Sequence, residues 1–156
     1  NKGVCQIALV ERHRATGRVS NGFVQGFAYQ GDMAIASSVA HDSHHIIVVG
    51  TNREMMAQAV NRLGEIGGGA TIWQDGEEIG QVHLPIAGLM SDRPAAEVAA
   101  AAQTILSGMQ RCGCTLHNAF MQHSLLALVV IPVLRISDLG LVDVDQFALT
   151  DLFISE

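Results

Sequence analysis

The sequence predicts an α+β layered domain: mixed, largely antiparallel β-sheets with two to three packing helices. Three observations carry this. Short apolar runs with strand character fill the chain before the first helical pattern. An Asp75-Gly76 turn signal joins two further runs as a hairpin. Apolar residues recur at helical spacing after residue 51 and again after Pro94. The resulting order, β-β-β-β-α-β-β-α-α-β, mixes hairpins with crossovers and so favours layers over a regular doubly wound fold.

Val4 to Val10 is the first strand-like run, closed by Glu11-Arg12-His13-Arg14 and the turn-prone Ala15-Thr16-Gly17. In the glycine-punctuated NGFVQGFAYQG, Phe23, Val24, Phe27 and Tyr29 are expected to supply buried faces. Met33 to Val39 and Ile46 to Gly50 read as buried strands on either side of AHDSHH. Thr51 and Glu54 form a T-x-x-E capping box at the head of a helix. That helix carries Met56, Val60 and Leu63 on one face and stops at Gly67-Gly68-Gly69. Ala70 to Trp73 and Ile79 to His83 form the hairpin. Val98, Ala102, Ile105 and Met109 mark the face of a second helix, with Ser91 or Asp92 expected as its N-cap. Asn118 to Leu128 reads as helical, followed by a buried run to Ile131. Val133 to Ile136 is then a last short strand before the Asp138-Leu139-Gly140 turn.

A length of 156 residues suits one domain over residues 1–156, with a core that needs no disulfide staples. Hydrophobic residues make up 49% and charged residues 15%, while no apolar run reaches membrane-spanning length. This apolar excess predicts a surface that packs on another domain or on a second copy, hence a fragment or a homo-oligomer. The net charge of −6 without a basic stretch excludes phosphate-backbone binding. Three cysteines cannot all pair internally, and no signal peptide is visible, so a reducing, cytoplasmic setting is expected. The missing initiator Met predicts a piece of something longer, with Met removal or processing as the plainer alternative.

The densest chemistry lies in Ala40-His41-Asp42-Ser43-His44-His45. Neutral imidazoles with a carboxylate between them suit Zn, Mn or Fe, and the same groups can move protons. A polar turn whose Asp42 and Ser43 cap backbone amides is the plainer alternative. The triple glycine follows a helix instead of a strand, which argues for helix termination and against a phosphate loop. Cys112-Gly113-Cys114 with His117 is half a zinc site at best, and loosely packed loop thiols are expected there. In LPIAGLMSD an apolar loop ends on Ser91 and Asp92, either a helix cap or an apolar pocket wall with a polar tip.

The blocks GDMAIASSVAHDSHHIIVVGTN, AVNRLGEIGGG, LPIAGLMSD and VIPVLRISDLGLVDV, in that order, resemble the C-terminal domain of bacterial and archaeal adenine deaminases. The resemblance covers most of the chain. The family usually reads HDSHN, so His45 stands where an Asn is expected. A histidine there could take over the Asn hydrogen bond or add a ligand. The resemblance implies hydrolysis of adenine to hypoxanthine and ammonia, by a metal-activated water attacking C6 of the purine. It also implies a separate amidohydrolase barrel in the same polypeptide, which carries the catalytic metals and which these residues lack. The H-x-E and P-C-x-x-C signature of the zinc nucleobase deaminases is absent too.

Under this resemblance His41, Asp42 and His44 hold a divalent metal (Mn, Fe or Zn) or relay protons, and Ser91 and Asp92 line the substrate entrance. The chain alone is expected to be inactive. Two other roles stay open from the sequence: a structural and oligomerisation module, and a free-standing small-molecule or metal-binding domain.

Overall fold

The computed structural model describes residues 3–153. Six strands form one antiparallel sheet: β1 (Cys5–Val10), β2 (Val19–Val24), β3 (Met33–Ser37), β4 (Ile46–Gly50), β5 (Gly69–Gln74) and β6 (Glu77–His83). Their order across the sheet is β2-β1-β4-β3-β5-β6. Helix α1 (Arg53–Ile66) connects β4 to β5, while α2 (Ala95–Arg111) and α3 (Ala119–Leu125) follow β6. A second sheet of β7 (Leu134–Ser137), β8 (Gly140–Asp143) and β9 (Ala148–Thr150) closes the described chain. The predicted α+β layering is present, with every strand pairing antiparallel.

Alternation along the strands sorts two cores onto the two faces of the large sheet. Ile7, Leu9, Ile35, Ile47, Val49 and Ile72 share one face with Ile105 and Met109 of α2 and Ile136 and Leu141 of the small sheet. Ala8, Ala34, Ala36 and Val48 share the other with Met55, Met56, Ala59 and Leu63 of α1. Three alanines under α1 let that helix lie close to the strands. Burying a side chain the size of Leu63 contributes about 1.5–3 kcal/mol. On the first face α2 comes equally close: a Cβ on Gly108 would meet Ile72 Cγ2 at 2.8 Å.

Two tight turns have the conformation their glycines require. Asp75 and Gly76 both have positive φ, 51° and 87°, as a two-residue hairpin turn of the type that matches strand twist requires. Gly67 ends α1 in the left-handed conformation at φ 79°, its N–H donating to the Leu63 carbonyl.

The cap of α1 is shifted by one residue: Asn52, not Thr51, accepts from the Glu54 and Met55 amides. The Thr51 hydroxyl is spent elsewhere, accepting from Met33 N and donating to the Gly31 carbonyl. Neither Ser91 nor Asp92 caps α2, whose N-cap is Pro94 with no side-chain hydrogen bond. Along α2 the buried line is Ile105, Gly108 and Met109, and Ala102 is exposed.

Phe23 is 54% exposed, because β2 is an edge strand and α1 packs over β3, β4 and β5. The expected buried run to Ile131 turns outward at Val129 and Val130. Strands β8 and β9, short and poorly alternating, were not anticipated. Cys112 and Cys114 are fully packed core thiols instead of loose loop residues, 1% and 3% exposed.

Candidate functional site

The antiparallel register brings Val10, Val19, Ser37, Ile46, Gly69 and His83 to one end of the large sheet. The loops 11–18, 38–45 and 84–92 therefore leave the sheet side by side, although they are far apart in sequence.

The histidine turn spans β3 and β4. It is closed by the His44 amide donating to the Ala40 carbonyl at 2.7 Å, with His44 itself at φ 52°. The His41 amide donates to the Ser124 carbonyl at 3.2 Å, which ties the turn to α3. His41 and His44 meet edge to face, ring centroids 5.3 Å apart at 70°. Both are half-buried, and Nδ1 of His44 is buried without a hydrogen-bond partner. Partial burial holds the His44 pKa below the usual imidazole range, helped by His41 and Arg12 and opposed by Asp42. A neutral imidazole with an unspent nitrogen can take up or hand on a proton.

His45 turns the other way, into the protein. Its Nδ1 accepts from the Arg12 amide at 3.4 Å, so the ring proton sits on Nε2, which faces Asp138 Oδ1 at 3.7 Å. The His13 ring lies 4.7 Å away, with Nε2 donating to the Ser43 carbonyl at 2.6 Å. Burial lowers the His45 pKa against the pull of Asp138. The His45 ring thus lies between the Arg12 amide and Asp138.

Glu11 organises the neighbouring loop. Its carboxylate accepts from the amides of His13, Arg14 and Thr16 and from the Thr16 hydroxyl. These donors, the Thr16 amide foremost, bring its pKa down to about 2. A recess of about 420 Å³ opens beside it, lined by His13, Arg14, Arg18, His45 and Asp138 among others.

The third loop is an exposed apolar tip. Ile86, Leu89 and Met90 are 45%, 37% and 58% exposed, on a turn closed by hydrogen bonds between Ile86 and Met90. Arg12 joins it to the histidine turn: Nε donates to the His44 carbonyl at 2.6 Å and Nη2 to the Ala87 carbonyl at 2.7 Å. From below, the Ser38 hydroxyl donates to the Gly88 carbonyl at 2.6 Å and accepts from Gly69 N at 2.8 Å.

Of the residues singled out in the sequence, His41 and His44 come together. Asp42 is exposed, close enough to act on the His44 charge. Ser91 is half-buried, its hydroxyl accepting from Arg93 N, and Asp92 is exposed beside Arg93. Arg12, Ser38 and Glu11 were missed as organising residues. The ERHR run signalled only the end of a strand, and nothing local couples residue 12 to residues 44 and 87.

Among the described residues, no three His, Cys, Asp or Glu side chains are placed to hold a metal ion. His41 and His44 offer two imidazoles, too few for a closed site. By themselves these residues do not fit a divalent metal.

The family model described as "Adenine deaminase C-terminal domain" matches residues 1–148. The chain belongs to the adenine deaminase C-terminal domain family. It is 73% identical over 150 residues to an adenine deaminase of Paracoccus denitrificans, covering 96% of this chain and 25% of that protein. An adenine deaminase of Ruegeria pomeroyi is 73% identical over 149 residues, with the same coverage of 96% and 25%. "Adenine deaminase 1" of Rhizobium etli is 49% identical over 146 residues, 94% of this chain and 26% of that protein. The chain thus spans about a quarter of the length of the curated relatives it matches. No helix among the described residues is long and apolar enough to cross a membrane.

Proposed function

We propose that residues 1–156 act as one accessory domain of an adenine deaminase, completing a purine pocket whose main chemistry lies elsewhere in the polypeptide. The observation that carries this is the His41–His44 pair, with the unspent His44 Nδ1, held beside the exposed apolar tip of Ile86, Leu89 and Met90. An apolar wall suits the face of a purine, and neutral imidazoles suit the protons that must move. Hydrolytic deamination adds water at C6 and protonates the departing amine. His41 and His44 are suited to that transfer, while Ser91 and Asp92 sit where the loop leaves toward α2 and line the entrance.

A divalent metal (Mn, Fe or Zn), held by the barrel of the whole enzyme, would supply an activated water there. A ligand role for His41, Asp42 and His44 needs further donors from an amidohydrolase barrel in the same polypeptide. Three unpaired thiols accord with a cytoplasmic setting.

The test uses a chimera in which residues 1–148 replace the matching quarter of the Paracoccus denitrificans enzyme. The chain alone should release no hypoxanthine with any of the three metals, and the chimera should. His44→Ala in the chimera should cut turnover while its melting temperature holds, and metal content before and after reads the ligand role. Unchanged kinetics would reject the reading.

A second reading, a structural and oligomerisation module, draws on Phe147, Val133 and Leu149, which are 91%, 62% and 59% exposed on the small-sheet side. It expects His41→Ala and His44→Ala to alter stability or assembly without a specific kinetic effect.

A further inference from the structure

We propose that Arg12 is a positioning residue that sets the spacing between the histidine turn and the apolar loop, so that the two form one wall of the pocket. This rests on the reading above. One side chain reaches both motifs, at residues 32 and 75 positions away in sequence. The backbone amide of the same residue also holds His45. Three contacts from a single residue therefore define how 44–45 and 87 lie relative to β1.

The chemistry of the contacts says what Arg12 is for. Both acceptors of its guanidinium are main-chain carbonyls, so it governs where the backbone of each loop runs. Among the described residues it has no carboxylate partner, since the adjacent Glu11 carboxylate is spent on its own loop. Burial works against its charge. A cation kept partly out of water without a counter-charge is costly unless its donors are used, and here they bridge two loops.

A guanidinium presents donors in a rigid plane, which sets the two carbonyls at a fixed separation; an ammonium can satisfy either one but does not impose that spacing. Gly88 packs closely on Arg12 and Ser38. A Cβ on Gly88 would lie 2.9 Å from Arg12 Nη2, 3.1 Å from Cζ and 2.9 Å from Ser38 Oγ. The backbone at Gly88 thus lies against both anchors. Arg12 touches no substrate in this proposal; it acts through His44 and the loop.

The experiment is a double-mutant cycle in the chimera described above, read as kcat, KM and melting temperature. Arg12→Ala is expected to lower kcat by about 10–100-fold, the order that a displacement near 1 Å costs a pre-organised site. Arg12→Lys should retain the fold and fall between, since one carbonyl is still met. In the His44→Ala background, Arg12→Ala should lower kcat by several-fold less than in the parent, because one of the two groups it positions is gone. A merely structural arginine would lower the melting temperature alike in both backgrounds, with kcat losses that add.

Additive losses, or a kcat within about twofold of the parent for Arg12→Ala, overturn the proposal. If Arg12→Ala does not fold, the cycle is run with Arg12→Lys and judged by the same additivity. The outcome for His44→Ala alone separates the two ideas. If it leaves kcat unchanged, the functional reading fails; if it lowers kcat and Arg12 variants do not couple to it, only the positioning role fails.

Discussion

The two ends of the large sheet make an instructive pair. Both are built from the loops of an antiparallel sheet, and both open into a recess, about 420 Å³ beside Glu11 and about 680 Å³ beside Tyr29 and Thr51. At the Thr51 end the polar groups serve secondary structure. Asn52 caps α1 and donates to Asp32, Thr51 ties β3 to the preceding loop, and Asp75 N donates to the Asp32 carbonyl. At the Arg12 end, imidazoles and a guanidinium gather, and one imidazole nitrogen stays unspent. The larger recess has the plainer chemistry. Under the proposed reading, function follows what the loops carry, not the volume they enclose.

If the ends differ in this way, damage to each should read out differently. The largest effect is expected at the histidine turn. His44→Ala in the chimera should lower turnover by about 10²–10⁴-fold, the usual worth of a proton-transfer group, and leave the thermal transition in place. Steady-state kinetics beside calorimetry checks this, and a shared loss of stability would erase the contrast.

His123 comes next, in the opposite direction. It is fully buried against Phe27 and Phe120, with neither ring nitrogen hydrogen-bonded, though the Ile47 backbone lies close enough to raise its pKa slightly. Burial dominates and brings the pKa down to about 4. His123→Leu should therefore stabilise the fold by about 1–3 kcal/mol in urea titrations, the cost of an unsatisfied buried polar group. The sign with pH follows from the lowered pKa. The native state binds fewer protons than the unfolded chain, so stability falls as pH drops from about 6.5 toward about 4, and the leucine variant should lose that slope.

At the Thr51 end, Asn52→Ala should cost about 0.5–2 kcal/mol through the lost helix cap, with turnover of the chimera unchanged. A fall in kcat would mean that this end also serves the reaction.

The last effect is read as a slope with pH in acid. The Glu11 pKa is depressed to about 2, so its contribution is present above the unfolded carboxylate value and lost as pH falls toward 2. Glu11→Gln should flatten acid unfolding between about pH 4.3 and that limit, as circular dichroism against pH would show.

Much of this was legible beforehand because it is local. Residues 46–50, the Asp75-Gly76 turn and the stop at Gly67 follow from alternation, turn chemistry and the need for a left-handed cap. His41 and His44 stood out by type and spacing. The cap of α1 did not follow, because Thr51 and Asn52 are both good N-caps and the choice depends on Gly31 and Met33, some 20 residues earlier. Strands β8 and β9 escaped because three or four residues show no period, and they exist by pairing with β7 and with each other.

By itself, then, the sequence determined the α+β class, most of the elements, the family and the residues with chemistry to offer. The tertiary structure decided which of them meet. It turned His44 toward His41 and His45 toward Glu11 and Asp138, and it made Arg12 the link between two loops. The physical reason is register: antiparallel pairing sets the ends of β1, β3, β4, β5 and β6 side by side, and no local pattern encodes contacts across 32 or 75 residues.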